Sequence, residues 1–379
     1  MSIRYVLFAC SLILFTLQAS ALPRFAVRTG NKCQSCHLNP SGGMMRQAYG
    51  VQYGREQLPV PAWSKDYSID DFSNLLGNVL GIGADFQTLY FSQQSTTATT
   101  SAFWQMQGDL YLNLRVARKV NLFLSKGLYN GFTAFALLDV LPARGSIKVG
   151  KFTPAYGTNI DDHTTFIRTY TGFSPELSRP ELTGLEATLS PGPVTIMGGV
   201  YNSADGFGSA VGNSKAFLGR AEAMLGGDNS VHIGFGGNVY YNAIIPQSVL
   251  QRIDGVAAVA VAGTPKSTLY GGFGSVAISQ LAIFGEADWM TIRSDLPDTK
   301  SFVCYLEADY PVVTGVDVKV AYDFFDPDVN LKTGTITRYS VGVEFFPLPG
   351  VEVRPLYRTF RGANISQKNE VDVLLHLYF

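Results

Sequence analysis

Residues 30–43 read Gly-Asn-Lys-Cys-Gln-Ser-Cys-His-Leu-Asn-Pro-Ser-Gly-Gly, with Cys33 and Cys36 separated by two residues and His37 directly behind them. A C-x-x-C-H run is the attachment pattern of a c-type haem. The spacing follows from the chemistry: two thiols add across the two vinyl groups of one macrocycle, and the adjacent imidazole is placed to ligate its iron from the proximal side. Three other uses compete for the pair. A redox dithiol wants a thioredoxin-like βαβ setting, which the sequence lacks. A zinc site wants further Cys or His nearby, and the next histidine is His163. A disulfide is compatible with the spacing but leaves His37 without a purpose. The motif therefore predicts one covalent haem c, bound through Cys33 and Cys36 with His37 on the iron. One-electron transfer is its natural step, so no bond-making catalytic residue is expected.

The second axial ligand stays open. Met44 and Met45 follow in "SGGMMRQAYG", and a methionine ligand would raise the haem potential; packing against the haem face accounts for them equally well. His163 lies far along the chain in a long connection. It could be the distal ligand, or a loop residue hydrogen-bonded to its neighbours. Asp161, Asp162 and His163 together could bind or steer a cation such as Fe(II), because carboxylate and imidazole both suit that ion; such loop clusters are also often merely solvated. His232 and His376 read as ordinary strand residues.

The elements that must position this motif are mostly strands. The 379 residues are 46% hydrophobic and 16% charged, with a net charge of −1, which gives no electrostatic case for nucleic acid. Glycine (39), tyrosine (19) and phenylalanine (25) are plentiful, as in chains of many short strands. Residues 1–21 read as a cleaved signal peptide: Arg4 in the n-region, an apolar run from Val6 to Leu17, and Ala19-Ser20-Ala21 as the cleavage site. That run is shorter than the roughly 20 residues a membrane helix needs. Cys10 sits inside the run, which argues against a lipoprotein site. After cleavage Cys33, Cys36 and Cys304 remain, too few for a disulfide framework. Residues 22–58 form the haem segment, 59–75 a connector stiffened by Pro59 and Pro61, and 76–379 a period-two region.

In "VDVLLHLYF", Val371, Val373, Leu375, Leu377 and Phe379 share one face, and Asp372, Leu374, His376 and Tyr378 the other. In 316–324 the set Val316, Val318, Val320, Tyr322 and Phe324 alternates against Asp317, Lys319 and Asp323. Near the start, Trp104, Met106, Leu110, Leu112 and Leu114 alternate against Gln105, Gln107, Asp109, Asn113 and Arg115. A soluble β-sandwich alternates too, but segments of about ten residues suit a tilted membrane strand. Aromatics at segment ends (Tyr129, Trp289, Tyr310, Phe325, Tyr378, Phe379) suit an interfacial girdle. The terminal Phe379 also resembles the last-strand signature of bacterial outer-membrane proteins. The fold expected is all-β: a transmembrane antiparallel barrel with a short haem-binding segment in front.

Seventeen candidate strands can be counted. A closed bacterial barrel takes an even number, and "DGVAAVAVAG" at 254–263 has no polar face, so it is assigned to a long loop and sixteen remain. Strand parity directs Asp109, Glu286, Asp288, Glu307, Asp309, Asp317, Glu344 and Glu352 inward, with Arg115, Lys148, Lys319, Arg354 and Arg358. This acidic lean mildly favours entering cations, or fills the pore with salt bridges. The connection 154–180 is longer than any turn needs and is expected in the lumen. The haem segment, with fewer than fifty residues, cannot bury a haem alone, so it is expected to plug or cap the periplasmic mouth.

At residues 21–40 the sequence resembles the fused monohaem cytochrome–porins of iron-oxidising bacteria, through Pro23, Phe25-Ala26, Arg28-Thr29-Gly30 and Cys33-x-x-Cys36-His37. The resemblance implies an outer-membrane electron-transfer protein, an Fe(II):cytochrome c oxidoreductase in enzymatic terms. It would take electrons from an extracellular donor such as Fe(II) and pass them to a periplasmic cytochrome or other soluble carrier. Cys33 and Cys36 would bind haem, and His37 its iron. After the motif, "NPSGGMMRQAYGVQYGREQL" departs from the family's usual run, which weakens the ferrous substrate more than the electron-transfer role. The competing expectation is a diffusion or substrate-specific porin whose haem segment is a plug or redox gate. A third is a haem-bearing scaffold for a larger multihaem conduit.

Overall fold

Strict alternation gives an antiparallel sheet one apolar and one polar face, and closing the sheet on itself removes its unpaired edges. The computed structural model describes residues 24–64, 74–77, 79–94, 98–128, 132–174, 180–202, 214–227, 231–244, 266–293, 298–331, 334–362 and 368–379. The signal-peptide assignment, 1–21, lies outside them. The strands are β1 (Leu80–Gln94), β2 (Thr99–Ala117), β3 (Val120–Gly127), β4 (Phe132–Leu141), β5 (Gly145–Phe152), β6 (Leu182–Leu189), β7 (Val194–Asn202) and β8 (Lys215–Gly227). They continue as β9 (Val231–Ile244), β10 (Lys266–Ile278), β11 (Leu281–Arg293), β12 (Thr299–Val313), β13 (Val316–Asp326), β14 (Ile336–Leu348), β15 (Val351–Gly362) and β16 (Lys368–Tyr378). Each pairs antiparallel with the next, and β16 pairs back onto β1 from Asn369 opposite Gln94 to Tyr378 opposite Asp85. The result is a closed sixteen-stranded barrel, with a two-residue strand, Leu75–Leu76, laid against the start of β1.

The expected number of strands holds. Residues 254–263 lie outside the described residues, but β9 and β10 pair directly, Ile244 opposite Lys266, so no strand intervenes between them. The parity also holds. Val320 and Val341 stand outward, 47% and 48% exposed, while Asp288, Asp309 and Glu344 point inward with 0% exposed. An outward charge at mid-strand would meet the membrane's hydrocarbon. Val341→Arg is therefore expected to destabilise the barrel by about 2–4 kcal/mol, read as a lowered urea midpoint in lipid vesicles.

Several residues depart from the expected faces. Gln87 pairs with Gln107 and Thr88 with Gln105, so Met106 is the extra residue of a β-bulge. The bulge turns Met106 inward, where it packs with Leu89 and Leu374, and Trp104 joins the same cluster. Arg115 is exposed beside a register shift at the end of β2 rather than inside. Phe325 and Tyr378 face in, 1% and 8% exposed, whereas Trp289, Tyr310 and Phe379 do face out. Tyr129 is outside the described residues. Cys304 is half-buried and unpaired by disulfide, on the outward parity of β12.

The two rims differ. At one, connections such as 118–119, 279–280, 314–315 and 349–350 are two residues long; at the other, connections such as 153–181 and 245–265 are long. The N-terminal segment enters by the short-turn rim. It comprises α1 (Arg24–Thr29), α2 (Cys33–Cys36), α3 (Ala48–Glu56) and α4 (Pro61–Ser64). The start of the connector is docked on the wall: the Val60 amide donates to the Phe346 carbonyl at 2.9 Å, and Trp63 packs edge-on against Phe345 at 5.3 Å. The long connection after β5 folds inward and carries α5 (Phe166–Thr171), with Ile160 and Phe166 buried. Carboxylates of the wall cap its amides: Glu286 accepts from Thr158 at 2.6 Å and Asp323 from Phe166 at 2.8 Å.

Candidate functional site

The C-x-x-C-H run forms one helical turn, with the His37 amide donating to the Cys33 carbonyl at 2.9 Å. Residues three and four apart lie on one face of a turn, so Cys33, Cys36 and His37 can address one body. Four residues are too few to hold a helix by themselves; the neighbours hold it. Gln47 donates from its amide to the Cys36 carbonyl at 2.7 Å and from its side chain to the His37 carbonyl at 2.7 Å. On α3, Gly50 lies so close that a Cβ there would overlap the Cys36 carbonyl. That neighbour is backbone and cannot step aside. Gly50→Ala is expected to weaken docking of the segment by about 1–3 kcal/mol, seen as faster proteolysis within residues 24–64 while the barrel survives.

Downstream the chain doubles back through Gly42, Gly43 and Met44, with φ of 90°, 71° and 60°. Glycine suits the first two because side chains rarely adopt those angles. A Cβ on Gly42 would also lie 3.1 Å from the Cys33 sulfur. The returning strand then runs beside His37, as an antiparallel bridge between His37 and Arg46.

A cavity of about 310 Å³ opens between this turn and the inner wall, lined by Cys33, Cys36, His37, Met44, His163 and Tyr156 among others. The fold thus brings together residues from three separate parts of the chain. Neither motif cysteine is joined in a disulfide among the described residues. Among the described residues, the cluster of three converging potential ligands is Glu307, Asp309 and Glu344, which does not include the motif cysteines. Burial pushes the Cys33 thiol up to about 12 and raises Cys36 as well. Burial, with the Arg46 cation adding to it, lowers His37 to about 4, so its imidazole is neutral, the form that ligates metals. Its Nδ1 is buried and has no hydrogen-bond partner.

The other candidate ligands part company. Met45 is buried against β1, where a Cβ on Gly81 would overlap its methyl group, and so faces the wall rather than the cavity. Asp161 pairs with Arg354 at 3.1 Å and Arg24 at 3.5 Å, and Asp162 with Arg358 at 2.6 Å. Burial alone would raise both carboxyls; the arginines outweigh it and hold both well below the usual range. Guanidiniums already supply the counter-charge that a bound cation would, so the expected cation site at Asp161, Asp162 and His163 does not assemble. His376 is held between Glu352 and Asp85, each 2.9 Å from a ring nitrogen.

The N-terminal arginines are the segment's contacts to the lumen that motif reading passes over. Arg24 is buried in the lumen, with Nε 2.6 Å from Glu344 and further contacts to Glu307 and Glu352. Lys319 joins the same network, 2.6 Å from Glu307 and 3.2 Å from Glu344. Arg28 meets Asp317 at 2.5 Å, and Arg46 lies over the Tyr378 ring at 4.2 Å. On the opposite wall Lys32 donates to the Gly192 carbonyl at 3.1 Å, and Lys148 reaches up from β5 to Asn39 at 3.0 Å. A signal was available: residues 24–55 contain Arg24, Arg28, Lys32, Arg46 and Arg55 but no Asp or Glu, facing a lumen that leans acidic.

No family model and no curated protein matches the sequence. Solved structures do. An anion-selective porin from Comamonas acidovorans aligns with TM-score 0.58 at 10% identity, over 79% of this chain and 99% of that one. Outer-membrane expressed OmpT of Vibrio cholerae aligns with TM-score 0.53 at 14% identity, over 80% and 99%. At such identity the likeness is one of fold, and the fold is that of the porin-like outer-membrane barrels.

Proposed function

We propose that this chain is an outer-membrane electron-transfer protein that carries one covalent haem c in its amino-terminal plug. The observation that carries the reading is the convergence of Cys33, Cys36 and His37 on one cavity between the segment and the barrel wall. Those residues fit the group. The paired thiols would hold it, the helical turn would fix their spacing, and the glycines at 42 and 50 leave the turn room. When bound, a haem takes up and releases one electron at a time. The chain's own residues do the rest. The segment and inward loop shield the site from bulk water, the arginines fix the plug, and the outward apolar face keeps the whole in lipid. The exported chain would sit in the bacterial outer membrane with the short-turn rim toward the periplasm, where a soluble cytochrome would exchange electrons with it. The resemblance around the motif suggests an extracellular donor such as Fe(II) on the other side.

A second reading is a substrate-selective or diffusion porin whose segment is a plug or redox gate, and the fold comparison favours it, since an anion-selective porin is among the similar structures. Against free diffusion stand lumen charges such as Asp288, Lys319 and Glu344, which are 0–1% exposed in the described interior. One pair of measurements separates the readings: a visible spectrum of the oxidised protein mixed anaerobically with Fe(II), and solute flux into vesicles. Prompt reduced c-haem bands without flux are the expected result. Bands that answer dithionite but not Fe(II) discard iron as donor and keep the cytochrome. Flux that survives His37→Ala, with no covalent haem in the wild type, gives the porin reading.

A further inference from the structure

Charge around the short-turn rim is one-sided. Among the described turns there, 190–193 (Ser-Pro-Gly-Pro), 279–280 (Ser-Gln), 314–315 (Thr-Gly) and 349–350 (Pro-Gly) carry none. The turns after β2 and β4 differ. Arg118 and Lys119 make up the first, Arg144 ends the second, and Arg115 stands just before them on β2, all exposed. Asp139, within electrostatic reach of Lys119 and Arg115, offsets part of this charge and leaves the sector cationic. The backbone fixes the arrangement. The Gly145 amide donates to the Pro142 carbonyl at 2.9 Å, and between them Ala143 and Arg144 have φ of 54° and 55°. Both central residues of this tight turn sit in the left-handed region, where glycine or asparagine fits with less strain. A strained position that keeps an arginine points to a use for its side chain. Neighbouring turns are tied into one surface: the Asp139 amide donates to the Lys119 carbonyl at 2.9 Å, and the Ser190 amide to the Ala143 carbonyl at 3.1 Å. The sector also adjoins the plug. Lys32, directly before Cys33, donates to the Gly192 and Val194 carbonyls at 3.1 and 3.4 Å and lies within the field of Arg144.

We propose that the rim sector of Arg115, Arg118, Lys119 and Arg144 is the docking surface for a soluble redox protein with an acidic face, which exchanges one electron with the site in the plug. The inference rests on the haem reading above and adds to it where the soluble partner lands and what charge it carries. Complementary charge raises the rate of encounter and sets orientation more than it raises affinity, which suits a carrier that must also leave. Lipid phosphates surround a barrel on every side, so cations serving lipid would be spread around the rim. A cluster on one side, next to the segment that carries the motif, suits a partner that approaches from one side.

The test uses the full-length protein in nanodiscs of zwitterionic lipid, with two probes: an acidic plastocyanin and a basic mitochondrial-type cytochrome c. Binding of each dye-labelled probe is read by fluorescence anisotropy, which needs no haem, and electron exchange by stopped-flow absorption. The acidic probe is expected to bind and to exchange electrons faster than the basic one, with both advantages fading as salt rises. Arg118→Gln, Lys119→Gln and Arg144→Asn together, the last keeping a residue suited to the turn, should slow association of the acidic probe about ten- to a hundredfold at low salt. Arg293→Gln with Lys300→Gln, at the other rim, should leave it unchanged. Heat-modifiable migration on a denaturing gel confirms that each barrel has formed. An unchanged rate in the triple variant, or an equal fall in the other-rim variant, overturns the assignment, as does a triple variant that loses only stability in anionic vesicles, which would give the cations to lipid. Stronger probe binding on Asp66→Asn, Asp70→Asn and Asp71→Asn would give the surface to the chain's own connector and overturn it too. Patch-dependent binding by a wild type without covalent haem would overturn the haem reading and leave the docking surface standing.

Discussion

Replacing Cys33 and Cys36 together by serine is expected to abolish covalent haem, down to background on a haem-stained denaturing gel, while the heat-modifiable barrel remains. The loss should be complete because a hydroxyl does not form the thioether, and both sulfurs sit on one face of a four-residue turn with no other cysteine near it. Cys33 is buried and its thiol is pushed up to about 12. At neutral pH the thiolate that reacts is then scarce. Iodoacetamide should therefore label Cys36 first and Cys33 only after the segment is unfolded. Wild-type haem content in the double variant, or equal labelling of the two cysteines in the folded protein, would sink the assignment.

Arg24→Ala carries the second large effect, on the docking of the plug rather than on the cofactor. Its guanidinium is almost wholly buried among Glu344, Glu307, Glu352 and Asp161. Removing one partner of a buried ion pair leaves an uncompensated charge, at a cost of about 3–5 kcal/mol. That corresponds to about a 10²–10⁴-fold rise in the undocked fraction, seen as faster hydrogen exchange of the amides of α2 and α3 with β-strand amides unaffected. Combining Arg24→Met with Glu344→Gln removes charge from both sides and should recover most of the loss, which a merely local packing defect would not do. Unchanged exchange in Arg24→Ala would show that the arginine does not hold the plug.

Much of the barrel could be read from alternation alone, because its inner and outer faces differ so sharply in polarity. Asp317, Lys319 and Asp323 on β13 and Glu344 on β14 fall on the inward parity in the sequence and are buried in the structure. Period-two reading fails where the period itself changes. At the Met106 bulge one extra residue reverses the faces of β2, and neither composition nor spacing announces it. It fails too for residues whose partners are distant in sequence. Asp161 and Asp162 look like cation ligands until Arg24, Arg354 and Arg358 arrive from either end of the chain. The motif itself shows how Cys33, Cys36 and His37 belong together. It does not show that His163, 126 residues after His37, faces the same space, since that depends on a long loop folding inward rather than out.

The plug does not merely sit in the barrel; it leans on the line where the barrel closes. Tyr378, near the end of β16, packs against Gly54 and lies under Arg46, while Phe379 exchanges backbone hydrogen bonds with Ala84 of β1 at 3.1 and 3.2 Å. The first and last strands therefore meet directly over α3 and the strand that leaves the C-x-x-C-H turn. A folded segment cannot pass through a ring of hydrogen-bonded strands, so it is either already within the open arc when β16 reaches β1 or must be threaded in through the short-turn mouth. The first route makes the order of maturation legible in the architecture. On the haem reading, the segment would be loaded while still accessible and would then serve as the surface on which the final strand pair zips shut. Under that timetable, a chain whose segment has not matured presents a poorer template at its own seam, and barrel closure becomes a checkpoint on what the barrel contains.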